Sequence, residues 1–454
     1  MVDFLICGVV LILSFLAARR SAVAGLVVVL SVGYGYGIAR ANLNTLSAYL
    51  LFDASVVGFY TARWHQLLSA SHTIPLQKLK LWVALLMLWP TVLVVIPVHD
   101  PLIQLVGLRG HIFLLPFLLI GAELEERQVH RLAFLLAGLN VLVFVVAIAE
   151  FFLGVERFFP RNAATELIYK SNDLLNYSAF RIPSTFSGAH AYAGTMVVTL
   201  PLLVGAWGRG LASRRSMPLI VAGIFAAMFG VFMSATRTHA LIMIVLLLVA
   251  TLSRRMKRSS WLMWIAILGG IGWMVSSQAR LLRFLTLRDL HYTVDRISWS
   301  VNRSLLDLVV DYPFGNGLGG GGTSIPYFWQ SRADNLYGVV MENEYARILL
   351  EQGLIGVALW VAFIVWVFTG RAPDPASDWH LSWRLAWIAC AMYFATGLTG
   401  SGLLTSIPQS ALLLLLSGWV AAGRLHPARV LSRARGGVQT KMRPVAALVR
   451  HDGR

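Results

Sequence analysis

The sequence predicts an all-α protein, a polytopic transmembrane helix bundle of about 12 to 13 spans with a large helical external loop. Hydrophobic residues make up 57% of the 454 residues, charged residues only 13%, and the mean hydropathy is +0.70. A water-soluble chain of this length needs a more polar surface. Apolar runs of about 17 to 22 residues, the length that crosses a bilayer, recur along the chain and do not alternate, which favours helices over a β-barrel.

About thirteen windows are apolar enough to be predicted as membrane spans. They cover residues 3–18, 22–39, 44–61, 81–98, 104–122, 132–154, 190–207, 217–235, 239–253, 261–277, 345–369, 385–402 and 404–423. Basic residues follow the first window, at Arg19 and Arg20, instead of preceding it. We therefore expect a retained first span and not a cleaved signal peptide.

The placement of the cations predicts the orientation of the chain. The formal net charge is +17, and Lys and Arg cluster between spans, notably in 209–215, 254–258 and the tail 424–454. The positive-inside rule makes these segments cytoplasmic, so the charge indicates a membrane protein with a cytoplasmic C-terminus and no nucleic-acid partner. Residues 1–454 then form a single integral membrane domain.

Two long segments are predicted on the opposite side of the membrane, 155–189 and the larger 278–342. Within the larger loop, 295–307 has the apolar spacing of a short amphipathic helix that ends before Tyr312-Pro313. The glycine run that follows has neither the lysine nor the preceding strand of a nucleotide-binding P-loop, so we favour a flexible turn there.

Arg181 and Arg237 are candidate anion ligands. Arg181 comes just before the span that begins at His190, where we expect it at the outer membrane surface, gripping a phosphate or pyrophosphate or, alternatively, reaching lipid headgroups. Arg237 lies in a tight external turn, against the charge bias, and is either solvated there or retained to bind an anion. His239 can assist, although a histidine beside an apolar helix is more often structural.

The start of the span near residue 345 carries candidate acids. Glu342 lies just ahead of the helix, where a carboxylate can take a proton from a hydroxyl held within hydrogen-bonding reach; the alternative is a helix N-terminal acid without a catalytic role. Glu344, Arg347 and Glu351 recur at three- and four-residue spacing, which predicts an intrahelical ion-pair stripe.

Other ionisable or reactive residues fall inside spans. Asp53 is a costly intramembrane acid, for which we expect either a functional role or a partner on a neighbouring helix, and no second ionisable residue at its depth completes a proton relay. Cys7 and Cys390 both lie in apolar spans, so neither a disulfide framework nor a metal site is predicted.

The order of these features resembles the O-antigen ligase and polymerase family of bacterial envelope glycosyltransferases. The resemblance covers the C-terminal two thirds of the chain, and its pieces are RIPSTF at 181–186, SATR at 234–237, Arg296 with Trp299, YPFGNG at 312–317, and NEY at 343–345 leading to EQGLIG at 351–356. Each piece is weak alone, but their order and spacing are specific.

The resemblance implies transfer of a glycan from an undecaprenyl-pyrophosphate carrier to an acceptor hydroxyl at the periplasmic face of the bacterial inner membrane, with inversion and without metal or other cofactor. Carried over, Arg181, Arg237 and Arg296 bind the pyrophosphate, Asn343 and Tyr345 help to bind the substrate, and Glu342 and Arg237 are catalytic. Chain-length regulators and export proteins are candidate partners.

One residue of this chain differs from the pattern found in the ligases of that family. Ligases have a histidine immediately before the Asn of this helix start, whereas this chain has Glu342. We therefore expect a polymerase that extends an O-antigen, capsule or exopolysaccharide chain, with a ligase that transfers glycan to lipid A-core as the alternative. The alternative from another class is a non-enzymatic transporter of lipid-linked oligosaccharides, although the halves of this chain show no clear repeat.

Overall fold

The computed structural model describes most of the helical part of the chain. Its described residues are 2–43, 45–68, 74–96, 100–162, 165–170, 180–208, 217–253, 303–320, 343–370, 379–400 and 402–423, with the single residues Trp264, Leu268, Gly272, His291 and Val294. These residues form helices and no strand. The predicted all-α class is therefore confirmed.

The described helices lie between Val2 and Ala422. In chain order they are α1 (Val2–Arg20), α2 (Ala22–Leu43), α3 (Leu46–Leu68), α4 (Ile74–Leu93), α5 (Pro101–Ile112), α6 (Phe117–Glu123), α7 (Glu126–Leu153), a 3-10 turn (Val155–Arg157), α8 (Glu166–Lys170), α9 (Ala189–Gly208), α10 (Met217–Met233), α11 (Arg237–Thr251), α12 (Arg303–Asp311), α13 (Glu344–Phe368), α14 (His380–Thr396) and α15 (Gln409–Ala422).

In the described part of the chain, six helical segments are long and apolar enough to cross a membrane. They are Ala22–Leu43, Leu76–Leu93, Pro101–Glu123, Glu126–Leu153, Ala189–Gly208 and Glu344–Phe368. Shorter apolar helices accompany them at Met217–Met233, Arg237–Thr251 and Gln409–Ala422. This is the construction of a multi-pass membrane protein. The predicted span 261–277, apart from three single residues, and the tail 424–454 lie outside the described residues.

The helices pack around one shared apolar core, with α9 and α15 almost wholly buried. Helices α6 and α15 cross at close range. A Cβ added to Gly121 would lie 1.9 Å from the Leu415 carbonyl oxygen, and one added to Gly418 would lie 1.9 Å from the Leu118 carbonyl oxygen. Glycine on both helices therefore lets the two backbones touch, as small residues do in membrane bundles.

Two predicted elements differ from the observed ones. The span 104–122 is divided into α5 and α6 by a turn that ends at Pro116, because proline has no backbone N–H to continue the ladder. The amphipathic helix predicted at 295–307 is observed as Arg303–Asp311, while residues 295–302 lie outside the described part. It ends before Tyr312-Pro313, as predicted.

A segment of the large loop is hydrogen-bonded to α13 at a break in that helix. Gly353 has a φ of 69°, a conformation that L-residues with a side chain rarely adopt. At this break the Leu354 N–H donates to the Pro313 carbonyl at 2.9 Å, and the Asn316 N–H donates to the Leu350 carbonyl at 2.5 Å. Residues 313–320 are therefore bonded to α13 through the main chain.

Candidate functional site

Arg181 lies at one end of the bundle, which we call the Arg181 end. Here the segment 180–188 approaches α2 so closely that a Cβ on Gly37 would lie 1.9 Å from the Phe186 carbonyl carbon. The Ile38 N–H donates to the Thr185 carbonyl at 3.0 Å, and the Thr185 hydroxyl donates to the Tyr34 carbonyl. The segment is thus held against the helix by its backbone as well as its side chains.

The guanidinium of Arg181 is buried, with 4% of the residue exposed. Its Nε donates to the Ser234 carbonyl at 3.1 Å and its Nη2 donates to the Thr236 hydroxyl at 2.6 Å, while Nη1 lies 3.2 Å from His190 Nε2. The predicted position of Arg181 at the outer membrane surface stays a prediction, and within the described residues its guanidinium is held by protein groups. The turn between α10 and α11 supplies the hydrogen-bond acceptors that allow the charge to be buried.

That turn brings Arg237 next to Arg181. Helix α10 ends at Met233 and α11 begins at Arg237, so the predicted tight turn is confirmed. Ala235 in this turn has a φ of 50°, an uncommon conformation for a residue with a side chain. Arg181 bonds the residues on either side of it, Ser234 and Thr236. Arg181 therefore fixes the turn at whose end Arg237 begins α11.

Two histidines and a tyrosine extend the cluster. The ring of His239 lies 6.1 Å from the His190 ring and 5.6 Å from the Tyr393 ring, centroid to centroid. His239 is 8% exposed, and its Nδ1 has no hydrogen-bond partner among the described residues. Tyr393 donates to the Gly194 carbonyl at 2.9 Å, which joins α14 to α9 beneath the turn.

The start of α13 reaches the same part of α14. Asn343 caps the helix, because its Oδ1 accepts the N–H groups of Tyr345 at 2.9 Å and Ala346 at 3.1 Å. The Tyr345 hydroxyl donates to the Phe394 carbonyl at 2.8 Å. Tyr393 and Phe394 are consecutive, so the contacts made by His239 and by Tyr345 reach the same turn of α14.

Two predicted site residues cannot be located. Arg296 and Glu342 lie outside the described residues. Of the other predicted site residues, Arg181 bonds the turn that precedes Arg237, and Asn343 and Tyr345 lie at the start of α13. The buried amide Nδ2 of Asn343 has no partner among the described groups.

Glu150 supports the segment that carries Arg181, and sequence reasoning missed it. Its Oε2 accepts the N–H of Ser184 at 2.9 Å, and the Ser184 hydroxyl donates to the Val143 carbonyl at 2.6 Å. Glu150 is 1% exposed, and its Oε1 has no partner among the described residues. The available signal was an acid close to the end of an otherwise apolar run.

A second buried cluster lies along α13. Arg347 pairs with Glu344 and lies 3.8 Å from Glu351, which confirms the predicted stripe. His111 of α5, which was not predicted, lies with its Nε2 2.6 Å from Glu351 Oε2. The side chains of all four residues are 1% exposed or less. We call these four residues the α13 charge cluster.

Asp53 has a partner at its own depth, contrary to the expectation from sequence. Arg109 of α5 donates to both carboxylate oxygens, with Nε–Oδ2 and Nη2–Oδ1 distances of 2.6 Å. Sequence analysis missed this pair because Arg109 lies in an apolar run and its partner is on another helix. Pairing with a neighbouring helix, the other expectation for Asp53, is confirmed.

The arrangement at the Arg181 end can bind an anion beside the exposed imidazole of His190 and the buried imidazole of His239. Arg237, half-buried at the start of α11, adds its charge to the positive end of the helix dipole. The described part of the site therefore suits a negatively charged group. A scan against protein-family models and a search of curated proteins found no match for the chain.

Proposed function

We propose that the protein transfers a glycan from an undecaprenyl-pyrophosphate carrier to an acceptor sugar hydroxyl, and that it polymerises polysaccharide repeat units. The observation that carries the proposal is that Arg181 is hydrogen-bonded to the turn 234–236, immediately before Arg237 at the start of α11. A diphosphate is a leaving group of high charge, and fixed guanidinium groups lower the energy of the charge that develops on it.

The two arginines have different roles in this proposal. Arg181 is bonded to Ser234, Thr236 and His190, so it fixes the turn and adds positive potential. Arg237 binds the diphosphate directly, and Arg296 of the large loop joins it. Asn343 and Tyr345 order the helix start against which the acceptor sugar lies.

The reaction balances without a cofactor. The bond from the anomeric carbon to the diphosphate oxygen breaks, and its electron pair leaves with the diphosphate. The acceptor oxygen attacks the opposite face of that carbon, which inverts its configuration, and the hydroxyl proton passes to Glu342. The carrier keeps its diphosphate, and the acceptor gains one glycan.

The membrane orientation is part of the proposal. The basic segments 209–215 and 254–258 follow α9 and α11 at the ends opposite to Arg181, which supports a periplasmic Arg181 end in the bacterial inner membrane. A lipid carrier then presents its diphosphate at the depth of the α10–α11 turn.

A transporter of lipid-linked oligosaccharide is the second candidate. The intramembrane pairs Asp53–Arg109 and His111–Glu351 favour it, because ionisable residues inside a bundle often mark a path for polar cargo. In that case Arg237 binds the cargo but no glycosidic bond forms.

Polymer analysis in producing cells tests the proposal. Arg237→Ala and Glu342→Gln, at normal expression, are expected to abolish chain elongation and to accumulate single lipid-linked repeats outside the cytoplasm. Arg161→Ala is the matched control, since this arginine of the segment 155–162 is 65% exposed and pairs with Glu156. Intact polymer that fails to reach its lipid acceptor would instead indicate a ligase, repeats retained on the cytoplasmic face a transporter, and unchanged glycans in both variants would contradict the proposal.

A further inference from the structure

Helix α13 has an exposed apolar face along only part of its length. Leu354, Val361 and Val365 are exposed, and their spacing of seven and four residues places them on one side of the helix. Since α13 is long and apolar enough to cross a membrane, this side is the one that meets lipid. We call these three residues the α13 stripe.

The part of α13 that faces lipid is too short to cover the bilayer. From Leu354 to Phe368 the helix rises by about 21 Å, whereas the hydrocarbon layer is about 30 Å thick. Arg371 follows the end of the helix, so the apolar stretch does not continue in that direction. Every residue from Glu344 to Gly353 is buried. About 9 Å of hydrocarbon therefore faces whatever covers the start of α13.

Helix α12 and the segment 313–320 cover that start. Leu308 of α12 and Leu350 of α13 belong to one cluster of buried apolar side chains. Next to the α13 stripe, the Leu354 N–H donates to the Pro313 carbonyl at 2.9 Å. This part of the large loop therefore lies on α13 where the stripe ends.

The outer side of this element carries large apolar side chains. Val310 is 78% exposed and Phe314 is 79% exposed. A Cβ on Gly353 would lie 2.5 Å from the Phe314 carbonyl carbon, so Phe314 adjoins the residue that precedes Leu354. The exposed apolar surface of the α13 stripe thus continues onto the loop, and a continuous surface of this kind marks a contact with membrane or protein.

Two acids limit the depth at which α12 can lie. Asp307 and Asp311 are exposed, and a carboxylate within hydrocarbon is costly. Asp311 precedes Phe314 by three residues, a stretch that spans at most about 10 Å. The acids can therefore lie among lipid headgroups while Phe314 lies among acyl chains.

We infer that the end of α12 is a membrane anchor, with Val310 and Phe314 inserted among the acyl chains of the leaflet at the Arg181 end. Lipid is the occupant because this surface continues the α13 stripe and supplies the apolar depth that the stripe lacks. Asp307 and Asp311 repel anionic headgroups, so burial of apolar area supplies the attraction. The anchor does not depend on glycosyl transfer.

Spin labels on single cysteines test the anchor in the full chain, reconstituted in phosphatidylcholine nanodiscs. The parent protein carries Cys7→Ser, in which the new hydroxyl can still donate to the Ser47 carbonyl, and Cys390 is buried. Labelling of this parent without an added cysteine gives the background. Oxygen concentrates in hydrocarbon and a nickel chelate stays in water, so the ratio of their collision rates with each label reports its surroundings.

Labels at Phe314→Cys and Val310→Cys are expected to show an oxygen-to-chelate ratio several-fold above that of Arg161→Cys, an exposed residue that pairs with Glu156. Val361→Cys, within the α13 stripe, is the matched hydrocarbon reference. All of these positions are partly or fully exposed, so a cysteine removes little packing.

Two results would overturn the anchor. A label at Phe314→Cys that meets the chelate as often as the label at Arg161→Cys would place the end of α12 in water. A label that neither reagent reaches would show that protein covers the surface, whether a second copy of the chain or another partner.

Lipids brominated at different acyl positions check the depth independently. A fluorophore at Phe314→Cys is expected to be quenched most by bromines near the headgroup, and one at Val361→Cys by bromines near the chain ends, because Val361 lies about 10 Å further along α13 than Leu354. The opposite order would contradict the assigned depth.

Discussion

Arg109 and Asp53 form a bidentate ion pair between α5 and α3, with both nitrogen–oxygen distances at 2.6 Å. The side chain of Asp53 is 13% exposed and that of Arg109 is 37% exposed. The pair joins α3 to α5, and each partner compensates the charge of the other.

Removing one member of this pair is expected to destabilise the protein. Asp53→Ala leaves the guanidinium without its carboxylate, a change that costs about 3–5 kcal/mol for a fully buried pair and less here because Arg109 is partly exposed. The double variant Asp53→Leu with Arg109→Met is expected to recover most of the loss. Thermal unfolding of the purified protein in detergent measures both, and additive losses would contradict the coupling.

Arg181→Lys is expected to reduce polymer formation by about a hundredfold, nearly as much as alanine, because a misplaced turn misaligns the group that binds the diphosphate. A lysine ammonium is a point charge and does not reproduce the planar set of bonds to Ser234, Thr236 and His190. Chain-length analysis by gel reads the effect. Arg161→Lys is the matched control, and full activity in Arg181→Lys would contradict the positioning role.

Glu150 is expected to act as a hydrogen-bond acceptor and not as a charge. In Glu150→Gln the amide oxygen can still accept the Ser184 N–H, so the segment 180–188 keeps its position. Glu150→Ala leaves that buried N–H without its partner, at a cost of about 1–3 kcal/mol. Limited proteolysis near this segment distinguishes the variants, and equal susceptibility of the two would contradict the assignment.

Gly418→Leu is expected to separate α15 from α6, because the new side chain would meet the Leu118 carbonyl. Overpacking of this kind costs about 1–3 kcal/mol or more, and the yield of monodisperse protein should fall. Gly8→Leu is the matched control, since nothing lies within 4 Å of a Cβ at Gly8. Equal yields of the two variants would show that the close crossing is not required.

Hydropathy predicted the fold class because a bilayer forces each span to be long, apolar and helical. The positions of α7 and α9 follow from this alone. The division of α5 from α6 was not predicted, although Pro116 carried the signal. Hydropathy averages over a window and does not respond to a single missing N–H.

The partners of the charged side chains were harder to predict, because they depend on which helices are neighbours. Arg181 bonds to residues more than fifty positions away, and His111 meets Glu351 across 240 residues of sequence. Spacing along one helix was sufficient for Glu344 and Arg347, which are three residues apart on α13. Sequence alone thus found the pairs within one helix, but it named no partner for the pairs between helices, even at Asp53, where a partner on a neighbouring helix was expected.

The break at Gly353 has a consequence for how such a protein can diversify. Two peptide-to-peptide bonds, from Leu354 to Pro313 and from Asn316 to Leu350, anchor the loop without using any side chain. Because neither bond uses a side chain, the exposed Phe314 can be replaced without a change in the course of the loop past the helix. Gly315 and Gly353 are restricted, because both have a positive φ and a Cβ on either would press on the other segment.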